Sequence, residues 1–280
     1  MRVLIFGAGG QLGRDLAQVF SSGGAVAGYT HHQLDIADEA AVRGAVVENA
    51  PDLILNAAAY TNVEGAEDDR DGAYRVNETG ARVVAAAAAA RNIPIVLFST
   101  DFVFAGDATS PYEVDAPIAP RGVYAESKAA GEAAVRAVNP RHFIVRTAWL
   151  YGPGGNNFVE KIIGAAKVRP SLKIVTDEIG SPTHTYDLAE ATAALVKTTA
   201  YGTYHGVNTG SCSRFDFAKT FLQIAGLSTP VDGCLASDFP SKAPRPKYSV
   251  LSTAALTAAC GYTFRSWEDA LAHYMDRRGA

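Results

Sequence analysis

The sequence of 280 residues predicts an α/β fold, a doubly wound parallel sheet with a smaller C-terminal lobe. Three observations predict it. Short apolar runs alternate with helical stretches through the first half. A glycine-rich turn directly follows the first of those runs. Past residue 150 the rhythm becomes irregular, which marks a second lobe. The expected division gives residues 1–150 and 186–208 to the sheet domain, and 151–185 and 209–280 to the lobe.

The elements follow in order. "VLIF" (3–6), "DLILN" (52–56), "IPIVLFST" (93–100) and "HFIVRTA" (142–148) read as strands buried on both faces, with "AVAGY" (25–29) a weaker candidate. Helices lie between them, such as "ETGARVVAAAAAARN" (78–92). Alanine has the highest helix propensity and lets a helix approach the sheet closely. Strand, helix, strand in alternation implies right-handed crossovers. After "AWLYGPGGNNF" (148–158), "SLKIVTD" (171–177) and "GTYHGVN" (202–208) read as strands. "TYDLAEATAALVKTT" (185–199) and "SRFDFAKTFLQIAG" (213–226) read as helices. "ASDFPSKAPRPKYSVLS" (236–252) is rich in proline and serine and reads as a loop. "SWEDALAHYMDRR" (266–278) is a closing helix, with Ser266 as N-cap and acids in the first turn.

Composition narrows the function. Hydrophobic residues make up 48%, enough for a sizeable core. A net charge of -4 argues against nucleic acid, which wants a basic field. Membrane-spanning apolar runs are lacking, so no membrane role is expected. The chain enters "RVLIFGAGG" at once, unlike a signal peptide. Cys212, Cys234 and Cys260 are widely spaced and odd in number, so neither a disulfide framework nor a zinc site is expected. A reducing cytoplasm fits these features.

"FGAGGQLG" places Gly7, Gly10 and Gly13 at three-residue intervals, with Gln11 and Leu12 at the start of the next helix. Glycines there allow a tight turn and let backbone approach a pyrophosphate, while the helix N-terminus offers N–H groups. The motif alone is weak, but its position after a first strand points to a Rossmann-type dinucleotide-binding domain over an ordinary turn. The P-loop spacing is absent, which disfavours ATP chemistry. The second strand runs into "GYTHHQLDIAD", where Thr30, His31 and His32 stand in place of the acid expected for an NAD ribose. Hydroxyl and imidazole donors suit a 2′-phosphate, so NADPH is the expected cofactor, with acceptance of NADH left open. The two histidines also read as solvated loop residues. Asp35 and Ile36 fall where an adenine would sit.

"GVYAESKAAGEAAV" (122–135) puts Tyr124 and Lys128 four apart, on one helical face. An ammonium at roughly 4 Å, at an effective dielectric of about 20, contributes about 4 kcal/mol, enough to lower a phenol by up to about 3 pKa units. The expectation is a proton donor poised near neutral pH. An exposed helix with a snorkelling lysine is the bland alternative. Ser99 and Thr100 in "LFSTDFVF" emerge at the carboxyl edge of the sheet, where open α/β sheets bind ligands. A hydroxyl there can align a carbonyl while the tyrosine protonates it.

Together, GxxGxxG, "NAAAYTNVEGAE", "STDFVFAGD", YxxxK, "RTAWLYGP" and "DEIGSPTHTYDLA" resemble the extended short-chain dehydrogenase/reductases over nearly the whole chain. Within them the chain looks most like the branch that reduces the 4-keto group of dTDP-4-dehydro-L-rhamnose to dTDP-L-rhamnose with NADPH. The resemblance implies Thr100, Tyr124 and Lys128 as catalytic, with Tyr124 and Lys128 also touching cofactor. It implies Ala57, Ala58, Tyr60 and Asn77 on the cofactor side. Thr61, Val63, Thr100 and Trp149 match sugar-contacting positions. For Trp149 core packing, and for Asn77 helix packing, compete with these roles. Lys242, Arg245 and Lys247 are candidates for the nucleotide diphosphate, Arg245 foremost, or for a solvated loop. Ala125 and Glu178 depart from the family pattern without touching the chemistry. Some relatives bridge a dimer with magnesium; Asp15 and Glu190 occupy similar places, but no metal is expected. A homodimer stays open. So do another 4-ketoreductase, an epimerase or dehydratase using Asp101, and a regulatory relative without turnover. A Ser-His-Asp hydrolase is disfavoured, since no G-x-S-x-G elbow occurs.

Overall fold

The structure is a computed structural model and describes residues 1–278. β1 (Arg2–Phe6) is buried after its first residue and leads into the glycine turn. α1 (Gln11–Ser21) follows and buries Leu12, Leu16 and Phe20, one face of a helix. β2 (Ala25–Tyr29) is only half covered, because it pairs with β1 alone at the sheet edge. That position explains its faint apolar signal. α2 (Glu39–Asn49) is capped by Asp38, whose carboxylate accepts from the N–H groups of Ala40 and Ala41. β3 (Leu53–Asn56) is wholly buried.

Two short helices, α3 (Val63–Ala66) and α4 (Arg70–Tyr74), precede a π-helical turn at Arg75–Gly80 and then α5 (Ala81–Ala89). The regular helix expected over 78–92 is therefore widened at its start and ends early, with Asn92 at φ +56°. β4 (Ile95–Thr100) begins after Pro94, which has no N–H to give a ladder. A 3₁₀ turn (Asp101–Val103) separates it from α6 (Val123–Val138) and β5 (His142–Thr147).

The second lobe holds β6 (Leu150–Tyr151), α7 (Phe158–Ala166), β7 (Leu172–Val175), β8 (Ile179–Gly180) and β9 (Thr183–His184). The chain then returns to the main sheet with α8 (Thr185–Leu195) and β10 (Gly202–His205). β11 (Cys212–Ser213), α9 (Arg214–Ile224), β12 (Val231–Cys234) and α11 (Trp267–Arg277) complete the second lobe, while α10 (Ala254–Cys260) packs against α8 and β10 on the main-sheet core. β12 and α10 fall in stretches the sequence leaves unassigned. β12 exists because it pairs with β7, a partner invisible to local pattern. The Ser266 hydroxyl caps α11 by accepting from Asp269 N–H at 3.0 Å.

Among the described residues the main sheet has six strands in the order β2-β1-β3-β4-β5-β10, every pair parallel. The chain runs outward one way from β1 to β2, then the other way from β3 on. The reversal lies between β1 and β3, and their carboxyl ends frame a crevice. One apolar core under α1 and α8 includes Leu16, Val96 and Leu188; the other, under α2 and α5, includes Phe6, Val46 and Val84. A third core, around Tyr151, Phe217, Phe221 and Trp267, fills the second lobe. Among the described residues, no helix is long and apolar enough to cross a membrane.

Candidate active site

The crevice is built first from glycines. Gly7 has φ +84°, and a Cβ on it would lie 2.5 Å from Ala58 N, so backbone from β1 and β3 passes in contact. A Cβ on Gly13 would lie 2.2 Å from Gly7 O, which lets α1 seat on the turn. Gly10 takes the extended N-cap position of α1. Leu12 sends its side chain into the core, leaving only its backbone toward the crevice. The Gln11 amide turns away toward the second lobe and donates to Leu150 O at 3.3 Å.

A cavity of about 540 Å³ opens over this turn. It gathers Gly7, Gly9, Gly10, Thr30, His31, Asp35, Ile36, Ala57, Ala58 and Tyr60, most of the cofactor set expected from sequence. Arg75, which the sequence reading missed, lines it too. Its guanidinium pairs with the Asp35 carboxylate. The Ala37 N–H, and then Arg75, hold that carboxyl below its usual range. The glycine cradle, the helix N-terminus and a cation beside Thr30 are a donor set that fits a phosphorylated dinucleotide.

Asn77 sits inside the π turn. Its Oδ1 accepts from Tyr60 N–H at 2.9 Å, and its Nδ2 donates to Tyr60 O at 3.2 Å and Ser127 Oγ at 3.0 Å. A Cβ on Gly131 would lie 2.1 Å from Asn77 O, so α6 packs directly on the turn. Asn77 thereby ties the cavity wall to the helix that carries Tyr124. At the start of that helix, Val123 N–H donates to Glu67 Oε1 at 2.8 Å.

Tyr124 is half-buried, its ring edge-on to Phe102 at 5.5 Å. Lys128 is buried, and its ammonium donates to Phe98 O at 2.7 Å. Thr100 Oγ1 accepts from Phe102 N–H at 3.2 Å and donates to Asp101 Oδ1 at 3.0 Å. The three side chains meet at the carboxyl end of β4. One expectation is corrected here: the phenol is not acidified. Burial pushes Tyr124 up to about 12, against the Thr100 hydroxyl that lowers it. Burial also brings Lys128 down to about 8, with Glu132 opposing. Desolvation outweighs the charge, because the ammonium is bonded to a carbonyl and not to the phenol. Asp101, buried, is pushed up to about 6.

The second lobe contributes a further cavity of about 890 Å³ beside α9. Glu64, Phe158, Ile162, Glu178, Arg214, Arg245 and Lys247 line parts of it. Trp149, next to the cavity-lining Arg214, has φ +46°, a backbone conformation uncommon for so large a residue. The Arg214 guanidinium stacks 3.5 Å from an indole centroid, and Glu178 pairs with it at 3.5 Å. Trp149 also packs against both the second-lobe core and the Val103–Leu251 cluster. Glu178, a departure from the family pattern, belongs to this wall. Arg214 was missed there, since a lone arginine at a helix start carries no motif. Thr61 is exposed and Val63 opens α3, which leads to Glu64 on the cavity rim. Arg245 pairs with Glu64 at 2.7 Å and Lys242 with Asp68 at 2.5 Å, fastening the 240–245 loop to α3 and the turn after it. Asp15 is buried and accepts from Thr185 Oγ1 at 2.5 Å, while Glu190 is exposed.

Residues 1–279 match the family described as the RmlD substrate binding domain. The chain belongs to that family. Its relatives in the family include the spore coat polysaccharide biosynthesis protein SpsK of Bacillus subtilis, 40% identical, with 100% of this chain and 98% of that protein covered. The dTDP-4-dehydrorhamnose reductase of Mycolicibacterium smegmatis is 40% identical, covering 96% of this chain and 84% of its own. The crystal structure of the dTDP-4-dehydrorhamnose reductase of Bacillus anthracis in complex with NADP superposes with a TM-score of 0.96 at 40% identity, covering 99% of each chain.

Proposed function

We propose that this chain is an oxidoreductase that uses NADPH to reduce the 4-keto group of dTDP-4-dehydro-L-rhamnose, giving dTDP-L-rhamnose. The convergence of Thr100, Tyr124 and Lys128 beside the glycine cavity carries the reading. Relatives of the whole chain that are named for this reduction support it.

The glycine turn, Thr30 and Arg75 bind the cofactor. When bound, the reduced nicotinamide supplies the hydride. With its proton turned from Asp101 to the substrate, the Thr100 hydroxyl holds the sugar carbonyl, and Tyr124 delivers its phenolic proton to that oxygen as the carbonyl becomes an alcohol. A phenol near 12 is fully protonated at neutral pH, so the donor is always loaded. The sugar alkoxide it protonates is a stronger base than this phenolate, so the transfer runs downhill. An ammonium has three N–H donors. Lys128 spends one on Phe98 O and has two for ribose hydroxyls and the phenolate.

In this reading Trp149, Thr61 and Val63 face the sugar, and Arg214, Arg245 and Lys247 the diphosphate. Residues 1–150 and 186–208 form the dinucleotide-binding part and 151–185 with 209–280 the substrate lobe. The pairing of β10 with β5 supports that division. Free cysteines suit a reducing cytoplasm. A homodimer is compatible, and sedimentation would read it.

The test is NADPH oxidation with dTDP-4-dehydro-L-rhamnose against a panel of other keto sugars. An epimerase or dehydratase would consume no net NADPH, and a regulatory relative would show no turnover. Tyr124→Phe is expected to cut turnover by about 10²–10⁴-fold while NADPH binding persists. Undiminished turnover in that variant overturns the proton-donor role.

A further inference from the structure

Tyr124, Lys128 and Glu132 occupy successive i, i+4 positions on the inner face of α6. Lys128 and Glu132 are both buried, although each carries charge. The Glu132 carboxylate accepts from Arg146 Nε and Nη2, both at 2.9 Å, and from Arg136 Nη2 at 2.7 Å. Arg146 is itself only 3% exposed. It lies on β5 in register with Ser99 of β4, one residue beyond the Phe98 carbonyl that holds Lys128. Two buried charges one helical turn apart on a shared face thus sit beneath the reacting phenol.

We propose that Glu132 is a positioning residue for the reduction: clamped by Arg146, its carboxylate keeps the Lys128 ammonium charged beneath Tyr124. The inference rests on the reading of Tyr124 and Lys128 given above. The charged and titratable groups around the lysine are Tyr124, Glu132 and Arg136 on α6, Asp101 after β4, Arg146 on β5 and His205 on β10. His205 is buried and neutral, held down to about 4 first by burial and then by Arg146. Glu132 is therefore the carboxylate that opposes the lysine's desolvation, while Arg146 is a second buried cation bonded to that same carboxylate. Without Glu132, a buried ammonium would face an uncompensated guanidinium, and the lysine would shed its proton within the working pH range. A neutral lysine is a poorer donor to ribose hydroxyls and leaves the phenolate unbalanced.

The experiment is the pH profile of NADPH oxidation, with NADPH affinity followed across the same pH range by nucleotide fluorescence. Glu132→Gln is expected to move the basic limb of both to lower pH by about 1–2 units. Arg146→Gln is expected to move it the opposite way, and Glu132→Asp to restore the original limb. A merely structural ion pair would lower activity in both variants by the same factor at every pH. An unmoved limb, or shifts in one direction for both variants, overturns the proposal. Should Glu132→Gln fail to fold, Arg146→Gln decides alone: a limb that does not rise ends it. Tyr124→Phe run in parallel separates the two claims, since full turnover there sinks the site reading, whereas loss of turnover with an unmoved limb sinks only this inference.

Discussion

Gly7 shows what a single residue could disclose in advance. Its place after the first strand was readable, and the positive φ and backbone contact with Ala58 supply the reason. Arg75 shows the opposite. It reaches the cavity only because a π turn brings a distant part of the chain opposite Thr30. As the cation of that wall, it is expected to favour a 2′-phosphate. Arg75→Ala should weaken NADPH binding by about 10–100-fold, the worth of a charge-assisted hydrogen bond, with little effect on NADH. Isothermal titration with both cofactors checks this; an equal loss for each would remove Arg75 from the 2′-phosphate role. The structure brings Tyr124 together with Lys128 and Thr100, but its proton affinity departs from the expectation, because spacing along a helix says nothing about how dry its surroundings are.

Among the elements, the strands of the main sheet were legible because burial on both faces leaves continuous apolar runs. In the second lobe β7, α9 and α11 were legible too, but the two-residue strands and β12 were not, since they depend on partners far along the chain. The lobe's proposed contribution to the site is Trp149. Gly180 in β8 lies against the indole, where a Cβ would come 2.5 Å from Cε2. Gly180→Ala should tilt or displace the ring at an overpacking cost of about 1–3 kcal/mol. The expected outcome is a raised KM for the nucleotide sugar with an unchanged Kd for NADPH. Steady-state kinetics and calorimetry measure the two, and an unaltered KM would take Trp149 out of the sugar site.

At the scale of the whole molecule, burial sets the response to pH. His184 and His205 are held down to about 4, each first by burial. An unfolded chain protonates its histidines near 6.5, so between about 6.5 and 4 it binds more protons than the native state. Each imidazole then removes stability as pH falls, at up to about 1.4 kcal/mol per pH unit. Asp101, raised by burial to about 6, and Asp15, also raised, act in the opposite sense over the carboxylate range. The two effects separate by difference. His205→Gln should gain stability relative to the parent as pH falls from 6.5 toward 4, and none above 6.5. Denaturant midpoints at several pH values give this directly; a difference that does not change with pH would contradict a neutral buried His205.

The sequence by itself determined the alternation of strands and helices, the glycine turn and the four-residue spacing of Tyr124 and Lys128. Each depends on neighbours within a turn or two of chain, where side-chain period and backbone freedom act directly. Tertiary structure alone decided which residues share a cavity, as with Arg75 and Thr30 or Glu64 and Arg214. It also decided how tightly each group holds its proton. Desolvation is a property of everything packed around an atom, and that environment is assembled from segments that local pattern cannot bring together.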